Sequence, residues 1–216
     1  MGLGRREKIL LVLYITIFLN STGLGTSNFL LPVYAETLGA SYSDLGWIGA
    51  FGNIAYLVVT LVTGYLLDRY ERVNLYLIFT LLGSISVGSF ALTENITQLI
   101  LARGLLGAFS ATFWVTASTL TADIAPPEIV TKAMGRYNLA WIMGFAVGPF
   151  FGGFIINSYG YQIFFYSLSG LMLISLLIIS IRVKGKISLS KSIDNAFSTT
   201  DSLRKVVFAY LTLTPF

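Results

Sequence analysis

The chain has 216 residues, of which 55% are hydrophobic and 11% charged, with a mean hydropathy of +0.78 and a formal net charge of +4. A soluble domain carries about 25% charged residues, so this composition cannot cover a globule with polar groups, and its natural solvent is lipid. Cysteine and histidine are absent, which excludes disulfides, thiol catalysis, histidine acid–base chemistry and the common zinc sites.

The N-terminal MGLGRREK is basic and runs into ILLVLYITIFL. No small-residue cleavage site follows, and the apolar character continues to Leu31. This reads as an uncleaved first span and not as a signal peptide. A helix needs about 20 mostly apolar residues to cross the roughly 30 Å hydrocarbon core. Six stretches meet that condition: residues 9–33, 45–67, 73–93, 96–122, 133–157 and 162–181. They are continuous runs, unlike the short alternating strands of a barrel, so the expected class is an all-α integral membrane protein. Residues 1–183 form the six-helix unit. Residues 184–202 are polar and Ser-rich and read as a cytoplasmic linker. Residues 203–216 turn apolar again, as the truncated start of a possible seventh helix.

The basic residues order these spans. Arg5, Arg6 and Lys8 precede the first span, Arg69 and Arg72 lie between spans two and three, Lys132 and Arg136 between four and five, and Arg182, Lys184, Lys186, Lys191, Arg204 and Lys205 after six; Arg103, within span four, is the exception. The other connections hold Glu36, Asp44 and Glu94 and no cation. By the positive-inside rule both chain ends lie in the cytoplasm. The excess positive charge is then a topological signal, and no nucleic-acid partner is implied. A shift of 89 positions lays spans one to three onto spans four to six. It also overlays Gly64-x-x-x-Asp68-x-Tyr70 on Gly153-x-x-x-Asn157-x-Tyr159. Three is odd, so the second copy enters the membrane upside down: two inverted three-helix repeats, as in many secondary transporters.

Three groups of residues stand out against this background. In GYLLDRYERV, Asp68 sits at a helix C-terminus, where the dipole disfavours negative charge, so a specific partner is expected for it. Arg103 lies about 10 Å into span four by helical rise. A charge there is costly unless it faces a watery cavity or a partner, although its stem could also snorkel to the headgroups. Gly107, Ser110 and Trp114 follow it at helical spacing and suit a cavity wall. Span five carries Gly144, Gly148, Pro149, Gly152 and Gly153; small residues four apart permit close helix approach, and Pro149 removes a backbone hydrogen bond and should bend the helix. Span one carries Asn20, Thr22, Ser27 and Asn28, read either as interhelical hydrogen bonding or as a substrate-facing strip. No Asp or Glu lies deep in any span.

These motifs resemble those of the major facilitator superfamily. Gly64-x-Leu66-x-Asp68-Arg69-x-x-Arg72 resembles motif A, with Glu71 and Val73 replacing a glycine and a second basic residue. Arg103-x-x-x-Gly107 is similar to the core of motif B, and Gly144-x-x-x-Gly148-Pro149-x-x-Gly152-Gly153 to motif C. The resemblance covers the first 183 residues and implies the N-terminal half of a two-half transporter. In such a fold Gly64, Asp68, Arg69 and Arg72 act in conformational switching. Arg103 handles substrate or protons, and the first and fourth helices line the cavity. Motif C is associated with antiporters, particularly drug exporters. The implied function is efflux of a small solute by alternating access, without a cofactor and with H+ as a candidate coupling ion. The implied partners are the substrate, the bilayer and a complementary six-helix half or second copy, without which no transport is expected. A non-transporting remnant or regulatory protein that kept the fold, and an uptake symporter, stay open as alternatives. An enzyme does not.

Overall fold

The computed structural model describes residues 3–183; the expectations for residues 184–202 and 203–216 lie outside them. The described residues form helices α1 (Leu3–Thr37), α2 (Tyr42–Arg69), α3 (Arg72–Ser89) and α4 (Ile96–Ile124), then a long helical element Val130–Arg182. Gly160 interrupts this last element with φ +83° and ψ 173°, a conformation essentially restricted to glycine. We call the limbs α5 (130–159) and α6 (161–182). Five helical elements are apolar and long enough to cross a membrane, and the break at Gly160 divides the last of them in two, which gives the six rods expected from hydropathy. No strand occurs among the described residues.

Local chemistry explains where the rods begin and end. At the end of α1, Gly39 takes φ +82°, and the Gly39 and Ala40 amides donate back to Glu36 and Ala35 carbonyls at 3.0 and 3.1 Å. Ser41 and Asp44 form a reciprocal capping box at the start of α2, each satisfying a backbone donor that helix geometry leaves free. Asn95 caps α4 by accepting from the Gln98 amide at 3.0 Å. Between α2 and α3 only Tyr70 and Glu71 intervene, both extended.

Two contacts fix the relative directions of the rods. Arg72, at the start of α3, forms an ion pair with Asp123 near the end of α4. Tyr34, near the end of α1, donates to the Thr93 carbonyl at 2.9 Å in the α3–α4 turn, and its ring packs on Tyr161 and Phe165 of α6. Hence α1 starts at the Arg72–Asp123 end while α4 starts at the opposite one, the inversion that the repeat predicts. The packing follows the same exchange: α1 lies on the Val130–Arg182 element as α4 lies on α2 and α3. Gly64 and Gly153, which the 89-residue shift superposes, both face open space.

Glycine makes the two main crossings possible. On the α2–α4 crossing a Cβ at Gly107 would collide with the backbone of Gly52. On the α1–α5 crossing Cβ atoms at Gly144, Gly148 and Gly152 would collide with Ser21, Thr22, Thr26 and Leu30 of α1. The motif C glycines are therefore a packing seam, except Gly153, where an added Cβ would meet nothing within 4 Å among the described residues. Pro149 does not break its helix; the one non-helical residue in the element is Gly160.

Gly107→Ala should cost more than the 1–3 kcal/mol typical of overpacking, because the obstructing atoms are backbone. Thermal unfolding in detergent should show a large fall in midpoint for Gly107→Ala and almost none for Gly153→Ala. Equal behaviour of the two variants would disprove the seam.

Candidate functional site

An aromatic cleft forms where α4 meets α5. Trp114, Tyr137, Trp141 and Phe145 line a space of about 290 Å³. The three α5 residues recur every fourth position and so share one helix face. Ring centroids lie 5.4 Å apart for Trp141–Phe145, 6.4 Å for Trp114–Trp141 and 6.3 Å for Trp114–Phe145. Phe29 of α1 meets Phe145 edge to face at 5.9 Å. The Phe145 ring lies over Gly25, where a Cβ would stand 2.7 Å from the ring, so α1 sets the ring's position. Trp141 Nε1 donates to Asn138 Oδ1 at 3.2 Å. The cleft is apolar, polarisable and sparsely furnished with hydrogen-bonding groups, which suits a planar hydrophobic molecule. Of its residues only Trp114 is anticipated above. The i, i+4, i+8 spacing of Tyr137, Trp141 and Phe145 was a legible signal that hydropathy alone hid.

Arg103 lies about 16 Å from Trp114 along α4 by helical rise. Its guanidinium rests flat against Gly52 of α2: a Cβ there would stand 2.5 Å from Nη1 and 2.6 Å from Cζ. The side chain is half-buried, and among the described residues it has neither a carboxylate nor a hydrogen-bond acceptor. All described Asp and Glu residues sit at or near helix ends.

The cavity-wall expectation for Gly107 and Asn20 is corrected. Gly107 faces the α2 backbone because only a residue without a side chain fits that crossing. Asn20 is fully buried between α1, α3 and α6. Its Nδ2 lies 2.8 Å from the Thr16 carbonyl, 2.6 Å from Ser175 Oγ and 3.3 Å from Tyr76 OH, and Tyr76 OH donates to Thr16 Oγ1 at 3.1 Å. This is interhelical bonding of the kind that holds polar groups in lipid. Ser110 is buried as well and donates to the Gly107 carbonyl at 3.1 Å. Asn28 is half-buried, and its Oδ1 has no partner among the described residues.

The motif A turn carries its charges in the open. Arg69 stacks on Tyr65, 4.6 Å from the ring centroid, and Arg72 pairs with Asp123. The partner expected for Asp68 is not found among the described residues: its side chain is exposed and unpaired. The open face of α2 around it exposes Leu57, Val58, Leu61 and Tyr65, and only three residues of the helix are buried.

Comparison with known proteins places this geometry. The family model of the Major Facilitator Superfamily matches residues 13–214. An uncharacterized MFS-type transporter of Methanocaldococcus jannaschii is 30% identical over 164 residues, covering 76% of this chain and 42% of the relative. The quinolone resistance protein NorA of Staphylococcus aureus is 34% identical over 150 residues, covering 69% of this chain and 38% of NorA. The chain thus spans about two fifths of the length of these relatives. Among solved structures, a bacterial homologue of the human lysosomal transporter Spinster, inward-facing and unoccupied, superposes with a TM-score of 0.72 at 18% identity. It covers 85% of this chain and 44% of that one, a likeness of fold.

Proposed function

The chain belongs to the major facilitator superfamily, and we propose that it supplies one six-helix half of a secondary transporter that exports planar, hydrophobic small molecules by alternating access. The observation that carries this reading is the Trp114–Tyr137–Trp141–Phe145 cleft. A site of stacked rings binds through apolar area and ring-face contacts, without demanding one hydrogen-bond pattern. That suits export of varied aromatic compounds. The similarity to a quinolone resistance protein supports the same substrate class.

The remaining roles follow from chemistry. The half sits in the cytoplasmic membrane with both ends inside, as the distribution of Lys and Arg indicates. Its exposed α2 and α5 faces meet a complementary half, and rocking of one half on the other moves the cleft between the two sides. Gly64, Asp68, Arg69 and Arg72 act at that moving contact, where Asp68 takes a cation from outside this unit. Arg103 presents a fixed positive charge to the cavity and meets an anion there. Asn28, with its free amide oxygen, is the polar group of α1 retained for substrate. Proton-coupled antiport fits this arrangement with the proton-carrying acid at a helix end or on the complementary half, since the described span interiors hold none.

Tryptophan fluorescence of the chain in lipid nanodiscs should be quenched by the planar quinolone nalidixic acid. Trp141→Ala should weaken that binding about tenfold, the scale of one lost aromatic contact of about 1.4 kcal/mol. Unaltered quenching in Trp141→Ala would remove the cleft from the mechanism. Asp68→Asn should leave insertion and thermal midpoint unchanged, because the side chain touches nothing described. In cells where the chain confers efflux it should slow export severalfold. Full efflux by the variant would deny the turn its switching role.

A further inference from the structure

Arg103 and Phe51 form a reciprocal lock across the α2–α4 crossing. The guanidinium of Arg103 lies over Gly52, and the ring of Phe51 lies over Gly104, where a Cβ would stand 2.7 Å from Cδ1. Each helix thus sends one large side chain across a glycine of the other. The two glycines of α2 nearest to this point differ: Gly49, one turn away, has nothing within 4 Å. At Gly52 all three nearest atoms to an added Cβ belong to the Arg103 side-chain end: Nη1 at 2.5 Å, Cζ at 2.6 Å and Nε at 2.9 Å.

The nature of those atoms decides what the glycine is for. A methyl group at Gly107 would meet backbone and force the helices apart. The three atoms nearest a methyl group at Gly52 all belong to the tip of a flexible side chain, which can swing aside without separating the helices. The absence of a Cβ at residue 52 is therefore needed less for helix approach than for the guanidinium's resting place. A guanidinium is planar and offers its N–H donors in a fixed fork that matches a carboxylate. One face of the plane pressed on a helix backbone leaves the fork's edge to be aimed. A small tilt then decides whether two N–H groups reach one carboxylate or only one does.

We propose that Gly52 is the positioning residue for Arg103: its bare Cα is the shelf that levels the guanidinium so that its fork receives a carboxylate entering the cavity. This rests on the reading of Arg103 as an anion-meeting group, and it assigns Gly52, which no motif above includes, to that site. Gly52 acts only through Arg103.

The test uses the full 216-residue chain in nanodiscs, with phenylglyoxal labelling of Arg103 followed by mass spectrometry, and benzoate and methyl benzoate as probes. In the unaltered chain benzoate should slow labelling of Arg103 severalfold while the neutral ester does not, and Arg69 in the same molecule should be unaffected. In Gly52→Ala the protection by benzoate should disappear, with the thermal midpoint close to that of the parent. In Gly49→Ala the protection should persist. Absence of benzoate protection in the unaltered chain overturns the anion-meeting role of Arg103 and this proposal with it, while the quinolone binding measured at Trp141 stands or falls separately. Full protection in Gly52→Ala overturns the positioning role alone. Should Gly52→Ala unfold, the double variant with Arg103→Ala decides: restored stability supports the shelf, since the two changes are then coupled. Instability in both backgrounds means the glycine serves the backbone crossing, and the proposal fails.

Discussion

Two backbones can approach closely in lipid only where side chains are missing, and this constraint governs the unit. Lipid tails are as apolar as leucine, so burying leucine against leucine gives no hydrophobic gain between helices. Association must come from dispersion over close surfaces and from polar groups that find no partner in hydrocarbon. The Gly52–Gly107 crossing supplies the first for α2 and α4, and the Gly144–Gly148–Gly152 seam supplies it for α1 and α5. The inverted repeat sets where these crossings lie. Each links the first or second helix of one triplet to the second or first of the other, so neither triplet closes on itself.

The polar groups then divide by position. In the centre Thr16, Asn20, Tyr76 and Ser175 are hydrogen-bonded to one another across three helices, with Asn20 Oδ1 left without a partner among the described residues, and Thr63 and Thr112 share a hydrogen bond at 3.0 Å between α2 and α4. Such bonds are individually modest, about 0.6 kcal/mol on average in membrane helices. Their effect is to fix register. Along the cleft the opposite holds: Trp114, Trp141 and Phe145 pack ring on ring with few polar partners. On the proposed reading, a bonded interior beside an aromatic wall suits a unit that moves as one body while accepting varied shapes.

The spans were legible in the sequence because hydropathy is a property of consecutive residues, and the 89-residue repeat because it superposes whole spans. Azimuth was not legible. Helix α1 is wrapped by α5 and α6, so apolar and polar residues surround it and no stripe marks a cavity side; Asn20 and Asn28 look alike in the sequence yet end in different places. Gly107 belongs to the same helical stripe as Arg103 and Trp114, but helices cross, and the stripe leaves α2 at one end and meets α5 at the other. The shelf at Gly52 depends on a residue 51 positions later in the chain, and no local pattern records such a pairing. The break at Gly160 was hidden for a related reason: Pro149 leaves its helix's dihedrals regular, whereas Gly160 adopts dihedrals that no helix contains.

The charges complete the argument. A lone cation half-buried in a span is tolerated only if something compensates it, and Arg103 receives from its own helices a surface to lie on but no counter-charge. Among the described residues this costly group is not neutralised, and its guanidinium rests against the bare Cα of Gly52. On the opposite end of the same unit, Arg72 is given Asp123, while Asp68 is left exposed beside an uncovered face of α2. Arg103 and Asp68, towards opposite ends of neighbouring helices, are both without a counter-charge among the described residues. On the proposed reading, a complementary half that engaged them alternately would carry the unit between two conformations.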